Sequence, residues 1–145
     1  MREHEYRGKR KADGKWVYGF YYKKCGRHII LGDIMPDSDM QREIEVIPET
    51  VGEYTGLPDK NGVKIFEGDI IKVTAISTGE YCGRGAVVFE DGNFGIYFCE
   101  ECEKNEYGAG IILVSGLTYK PYDNQVEVIG NSHDNPELLE AIDEN

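Results

Sequence analysis

The chain has 145 residues, 16 Lys+Arg, 27 Asp+Glu and a formal net charge of -11. That length sets a prior of one domain with one real core, and 40% hydrophobic with 11% aromatic residues excludes a disordered chain. The acidity excludes nonspecific binding to nucleic acid or anionic membrane over the whole surface. No apolar run approaches the ~20 residues that span a bilayer, and the charged start, MREHEYRGKRKADGKW, has no apolar stretch behind it of the kind a signal peptide carries. The expectation is a soluble, globular, intracellular protein.

The first 30 residues reverse the overall charge. They hold nine Lys/Arg (Arg2, Arg7, Lys9, Arg10, Lys11, Lys15, Lys23, Lys24 and Arg27) against Glu3, Glu5 and Asp13. This segment is +6 and the remainder is -17. A basic arm on an acidic body fits contact with nucleic acid or charge-complementary assembly. It fits more simply a solvated strand whose lysines pair with the body's own carboxylates, each exposed pair contributing only ~0.2–1 kcal/mol. Candidate contact residues are Arg7, Lys9, Arg10, Lys11 and Lys15, with Trp16 and Tyr18.

Most of the chain reads β. Ala12 to Lys15 is a turn centred on Asp13-Gly14. After it, Trp16, Tyr18, Phe20 and Tyr22 alternate and share one strand face. Such a stripe is most simply core, although aromatics in a row also stack single-stranded bases. His28 to Leu31 is a short apolar run, residues 33–40 are loop broken by Pro36, and Glu43 to Ile47 alternates up to Pro48, which cannot donate to a ladder. Val51 to Thr55 reads as a short strand. The segment 56–62 is dense in turn formers, with Asn61-Gly62 favouring a tight turn. Val63 to Phe66 follows, then Glu67-Gly68-Asp69 and the long β-branched run Ile70 to Ile76. A Gly-Asp before such a run resembles the entry to the first long strand of small SH3-like barrels. Ala86 to Glu90 and Phe94 to Cys99 flank Asp91-Gly92-Asn93, the strongest hairpin signal in the chain. Residues 100–110 read as an exposed acidic loop, and Ile111 to Val114 and Val126 to Ile129 as strands. A short helix is expected over 135–143: Asn135 suits the N-cap, Pro136 the first helical position and Glu137 the positive end of the dipole. Its apolar stripe Leu138, Leu139 and Ile142 would cover an open sheet edge or face, or dock on a neighbouring subunit.

The four cysteines are Cys25, Cys82, Cys99 and Cys102. Without a secretory signal, disulfides are not expected. The pairs Cys25/His28 and Cys99/Cys102 have the two-residue spacing of zinc ligands and together would compose a tetrahedral Cys3His site. Glu100 and Glu101 would crowd a centre already made anionic by thiolates, so no metal and no cofactor is expected. A C-x-x-C redox site needs a βαβ context that a strand end does not provide. There is no Gly-rich phosphate loop, no G-x-S-x-G elbow and no H-E-x-x-H. Asp37-Ser38-Asp39 lacks the later Gly and Glu of a calcium loop. His133-Asp134, adjacent in a turn, is poorly placed for a base with an orienting acid.

Three ordered stretches carry a family likeness. Thr50-Val51-Gly52-Glu53-Tyr54-Thr55-Gly56-Leu57 leads into Asp59-Lys60-Asn61-Gly62 and then Ile65-Phe66-Glu67-Gly68-Asp69-Ile70. Near the end stand Val128-Ile129-Gly130-Asn131 and Asn135-Pro136-Glu137-Leu138-Leu139, and near the start Arg7-Gly8-Lys9 and Gly14 to Gly19. The whole resembles the YopX family of phage and prophage proteins over nearly its full length. Ser132-His133-Asp134 departs from the apolar-aromatic stretch usual there, and the Cys/His pairs lie outside the pattern. The resemblance implies a mostly β protein with an SH3-barrel-like core of short strands, extra hairpins and a short C-terminal helix. It implies a single domain over 1–145, the cytoplasm of a bacterial host, and no known enzymatic activity.

The pattern residues themselves look structural. Gly56, Gly62 and Gly68 suit turns, Asp59 and Asp69 can cap backbone amides, and Tyr54 and Phe66 would pack beneath them. Alternatively the segment 50–76 forms a ligand edge with Glu67 and Asp69 exposed. The function expected is non-enzymatic: binding or assembly as a homo-oligomer, with a phage or host protein as a further partner and no membrane. The alternative is a nucleic-acid-binding module using the basic aromatic N-terminal segment.

Overall fold

The computed structural model describes residues 4–34, 41–75, 78–90, 92–98, 111–112 and 124–139. The chain divides into two compact units, residues 1–56 and 57–145. The first holds β1 (Tyr6–Lys9), β2 (Trp16–Lys24), β3 (Arg27–Ile34), β4 (Gln41–Glu45), a 3-10 turn at Pro48–Thr50, and β5 (Gly52–Pro58), in which the division falls. The second holds β6 (Lys64–Phe66), β7 (Asp69–Ala75), β8 (Tyr81–Glu90), β9 (Asn93–Phe98), β10 (Ile111–Ile112), β11 (Asn124–Asn131) and a 3-10 turn at Pro136–Leu139.

The chain is mainly β, in two antiparallel sheets of order β4-β3-β2-β1-β5-β6 and β10-β9-β8-β7-β11. The expected SH3-like barrel is not what the described strands build, because neither sheet closes on itself. Nor do the described residues form the expected α-helix. Pro136–Leu139 is a single 3-10 turn, and positions 140–143 lie outside the described residues.

Turn chemistry sets the hairpins. Between β1 and β2, Asp13 accepts the Lys15 amide at 3.1 Å, and the Gly14 amide donates to the Arg10 carbonyl at 2.7 Å. Between β2 and β3, Cys25 and Gly26 both have positive φ, 50° and 77°, the conformation of a two-residue turn that matches strand twist. Glu90 opposite Asn93 closes the β8–β9 hairpin with two residues, where the sequence predicts it.

β2 pairs with β1 through Trp16–Gly19 and with β3 through Phe20–Lys24. The handover falls at Gly19, where an added Cβ would lie 1.9 Å from the Leu31 carbonyl oxygen. Only glycine lets the strands approach that closely.

Each unit has its own apolar interior. In the first, Ile30 and Val46 are buried over Gly8, where a Cβ would stand 3.1 Å from that of Val46. In the second, Ile65, Ile71, Val73, Val87, Phe94, Ile96 and Val126 form one cluster, with Leu57 and Val128 packed against it. Ile71 and Val73 alternate along β7 and so face it together. Fully burying each such side chain contributes roughly 1.5–3 kcal/mol. Ile70 faces the other way yet is also fully buried. It lies opposite Ala86 and Gly130, and Leu138 comes within 3.0 Å of where a Gly130 Cβ would stand. The C-terminal turn therefore covers the second face of this sheet at the Ile70 end, whereas Lys72 and Thr74 further along that face are polar and half-buried.

Candidate binding surface

The N-terminal candidates separate into two groups. Arg7 lies directly opposite Tyr18, and Lys9 opposite Trp16, so these four side chains emerge on one face of the sheet. The Arg7 guanidinium carbon sits 4.6 Å from the Trp16 ring centre and the Lys9 ammonium 5.4 Å, both within cation–π range. Arg7 is buried, whereas Tyr18 and, two residues on, Phe20 are 48% and 67% exposed. The aromatic stripe that alternation suggests as core is in this part a solvent-facing row.

Arg10, Lys11 and Lys15 do not join that cluster. Arg10 donates from Nε to Asp13 at 2.9 Å. Its guanidinium, followed by the Lys15 amide, holds the Asp13 carboxyl well below the usual carboxylate range. Lys11 pairs with Glu45 at 3.3 Å, and the exposed Lys15 belongs to the Asp13 turn. Further along, the Tyr22 hydroxyl donates to Glu43, which also pairs with Lys24 at 3.5 Å. These contacts lower the Glu43 pKa, through the Tyr22 hydrogen bond first and Lys24 second. The same hydrogen bond raises that of Tyr22. Residues 1–56 contain ten Lys/Arg and ten Asp/Glu, so the first unit is neutral and the net -11 belongs to residues 57–145.

On the opposite face, Tyr21 lies against Tyr6, with ring centres 5.5 Å apart, and stacks on His28 at 5.9 Å. His28 hydrogen-bonds the Tyr21 hydroxyl through Nδ1, so that nitrogen is engaged within the sheet. Cys25 is exposed at the hairpin tip, and Cys99 and Cys102 lie outside the described residues. No group of three or more His, Cys, Asp or Glu suited to a metal occurs among the described residues.

The pattern residues of the middle and end converge in the second unit. The Asp59 carboxylate accepts three backbone amides: Asn61 at 2.8 Å and Val63 at 2.9 Å on Oδ1, and Val128 at 3.0 Å on Oδ2. Burial opposes ionisation of Asp59, but the amides of Val128, Val63 and Asn61 outweigh it and leave its pKa below the ordinary value. Gly62, at φ 83°, completes the turn with its amide on the Asp59 carbonyl at 3.0 Å. Asp69 is 2% exposed and accepts the Phe66 amide at 2.8 Å, so it is not an exposed ligand edge; Glu67 beside it is half-buried. Gly68 donates to the Val87 carbonyl and accepts from the Ser132 amide, both at 2.8 Å. Asn131 receives the amides of His133 and Asp134 on its side chain and hydrogen-bonds Asp134 through Nδ2 at 3.0 Å. Asn135 Oδ1 accepts the Asn131 amide at 3.3 Å, and Pro136 opens the final turn. Tyr54 and Thr55 are buried in the first unit, while Gly56 at φ 90° and half-buried Leu57 carry the chain across the division.

Nearly all of the sequence pattern that forms this network is matched by a family model described as YopX protein, over residues 5–140. The chain belongs to the YopX family. In this chain the pattern residues of the second unit hydrogen-bond a turn, a strand and a chain end to one another. Similarity to a solved structure extends the comparison to fold. Protein EF1440 from Enterococcus faecalis is 23% identical, with a TM-score of 0.55 over 97% of this YopX chain and 100% of its own. At that identity the likeness is one of fold. No curated protein matches. No helix among the described residues is long and apolar enough to cross a membrane.

Sequence reasoning missed two things: that Tyr18 and Phe20 face solvent, and that Asp59 reaches β11. A signal for the first exists. Arg7 and Lys9 are two residues apart and must share a strand face, and a face bearing two cations opposite aromatics is a poor dry core. No local signal reveals a partner 69 residues away.

Proposed function

We propose that this YopX-family protein is a phage or prophage accessory protein of the bacterial cytoplasm that acts by binding rather than catalysis. Its first sheet would associate with that of a second copy through the Tyr18–Phe20 row. The observation that carries this reading is the 67% exposure of Phe20 beside a 48% exposed Tyr18, since adjacent exposed aromatics are typical of interface cores. Charge supports the choice of partner: two neutral first units approach without net repulsion, whereas two second units of -11 repel. A phage or host protein remains a further partner of the same face.

The test is light scattering against concentration at low and high salt. The wild type should exceed monomer mass with little dependence on salt, because the contact is apolar. Tyr18→Ser with Phe20→Ser should be monomeric. A wild-type monomer at every concentration and salt would sink the reading.

One observation favours nucleic acid as a second reading: Arg7 and Lys9 lie against Trp16 next to two open rings, the combination that stacking platforms use. Retention of single-stranded DNA on a filter at low salt, lost in Lys9→Gln and in Phe20→Ser, would move the assignment there. The pairing of Arg10 and Lys11 with Asp13 and Glu45 argues against it, by reducing the charge available to phosphates.

A further inference from the structure

β11 lies at one end of the second sheet, with β7 as its ladder partner. On the side away from β7, its backbone is met by the turn that follows β5. The Val126 carbonyl accepts the Lys60 amide at 3.0 Å, and the Val128 amide donates to the Asp59 carboxylate at 3.0 Å. Residues two apart on a strand direct their backbone groups to the same edge, so one donor and one acceptor of the outer edge are occupied together. The carboxylate stands where a neighbouring strand would present a carbonyl. Lys60 reinforces the contact, its ammonium lying 3.5 Å from Glu127 between those two valines.

We propose that the Asp59–Val63 turn is a plug that closes the outer edge of β11, and that the edge it closes fits an extended segment reading apolar–cation–apolar. The specification comes from both neighbours of β11. On one side β7 sets Val73, Lys72 and Ile71 opposite Val126, Glu127 and Val128. On the other, the plug supplies an N–H, an ammonium and an acceptor to the same three residues. An open strand edge is a template for pairing with another chain, and here it is filled by the molecule's own turn. The inference is independent of the aromatic face of the first unit.

Two measurements test it in the full-length protein. Asp59→Asn keeps the shape but replaces an acceptor oxygen with an amide, so the Val128 N–H should exchange with deuterium about tenfold faster or more, as expected for losing a charge-assisted hydrogen bond. Asp69→Asn, which disturbs the neighbouring Phe66 turn instead, should leave Val128 no faster than the surrounding β11 amides. A labelled peptide of the β7 sequence, Asp69 to Ala75, should bind folded Asp59→Ala at least about tenfold more tightly than wild type, and a scrambled peptide should bind neither. Unchanged protection of Val128 in Asp59→Asn overturns the proposal. So does equal or absent peptide binding by wild type and a folded Asp59→Ala. If Asp59→Ala does not fold, exchange in Asp59→Asn decides.

Discussion

Asp59 concentrates more of the second unit's local order than any charge count suggests. Its two oxygens serve three amides, those of Asn61 and Val63 in its own turn and that of half-buried Val128 in β11, and a strand amide left without an acceptor is costly. Charge-assisted bonds of this kind are the strong ones, and Asp59→Asn should cost about 1–3 kcal/mol in urea unfolding at pH 7. The acid dependence has a definite sign. A folded-state pKa below the unfolded value of about 3.9 means that the contribution is complete above that pH and fades as the pH falls through the lower folded value. Wild type should therefore lose stability more steeply than Asp59→Asn below about pH 4, read as the difference between their urea midpoints, so that the shared effects of Asp13 and Glu43 cancel. A constant difference from pH 7 to the acid limb would contradict the role assigned to the carboxylate.

At the scale of elements, β2 changes partners at Gly19, and the first sheet depends on that change. A methyl group 1.9 Å from the Leu31 oxygen cannot be accommodated without moving β3, because the obstacle is backbone. Gly19→Ala should disrupt the first unit and leave the β7–β11 ladder in place. The measurement is residue-level hydrogen exchange: protection lost at Ile29 and Ile30, and retained at Ile71 and Val73. The strands themselves were largely legible in the sequence. Alternation marked β2, the β-branched run marked β7, and Asp91-Gly92 marked the β8–β9 hairpin. Alternation states which residues share a face, not which face is wet, so it cannot tell that Tyr18 and Phe20 face solvent. The C-terminal segment carries every mark of a helix start, yet Asn131 and Asn135 bind each other's turn and the Leu138 carbonyl accepts Arg84 Nε at 2.7 Å. Tertiary contacts thus set a 3-10 turn where local preference writes an α-helix. The link from Asp59 to Val128 was illegible for the same reason: it exists only once β11 is folded back beside the turn.

For the molecule as a whole, the partition of charge differs from the contrast between arm and body. The +6 of residues 1–30 is offset inside its own unit, and the full -11 falls on residues 57–145. Self-repulsion of that size weakens a compact state and is screened by salt, the Debye length falling from ~30 Å at 0.01 M to ~8 Å at 0.15 M. The single Trp of the chain, Trp16, lies in the first unit and gives a selective probe. Raising salt across that range should raise the unfolding midpoint seen by exchange at Ile71 and Val73 more than that seen by Trp16 fluorescence. Equal shifts would show that the acidic residues are not felt by the second unit's core.

The pairing of β7 with β11 also dictates an order of events during synthesis. Val73 must wait for Val126, and the carboxylate of Asp59 must wait for an amide 69 residues further along. Until that strand leaves the ribosome, the apolar β7 has only β8 beside it. Contacts of such long range are slow to form and leave strand edges exposed in the interval. The family's middle motif thus becomes complete only when its last motif has been made. A nascent chain stalled before Val126 would carry an open edge on β7 and an unfilled Asp59 turn, the state most in need of a chaperone.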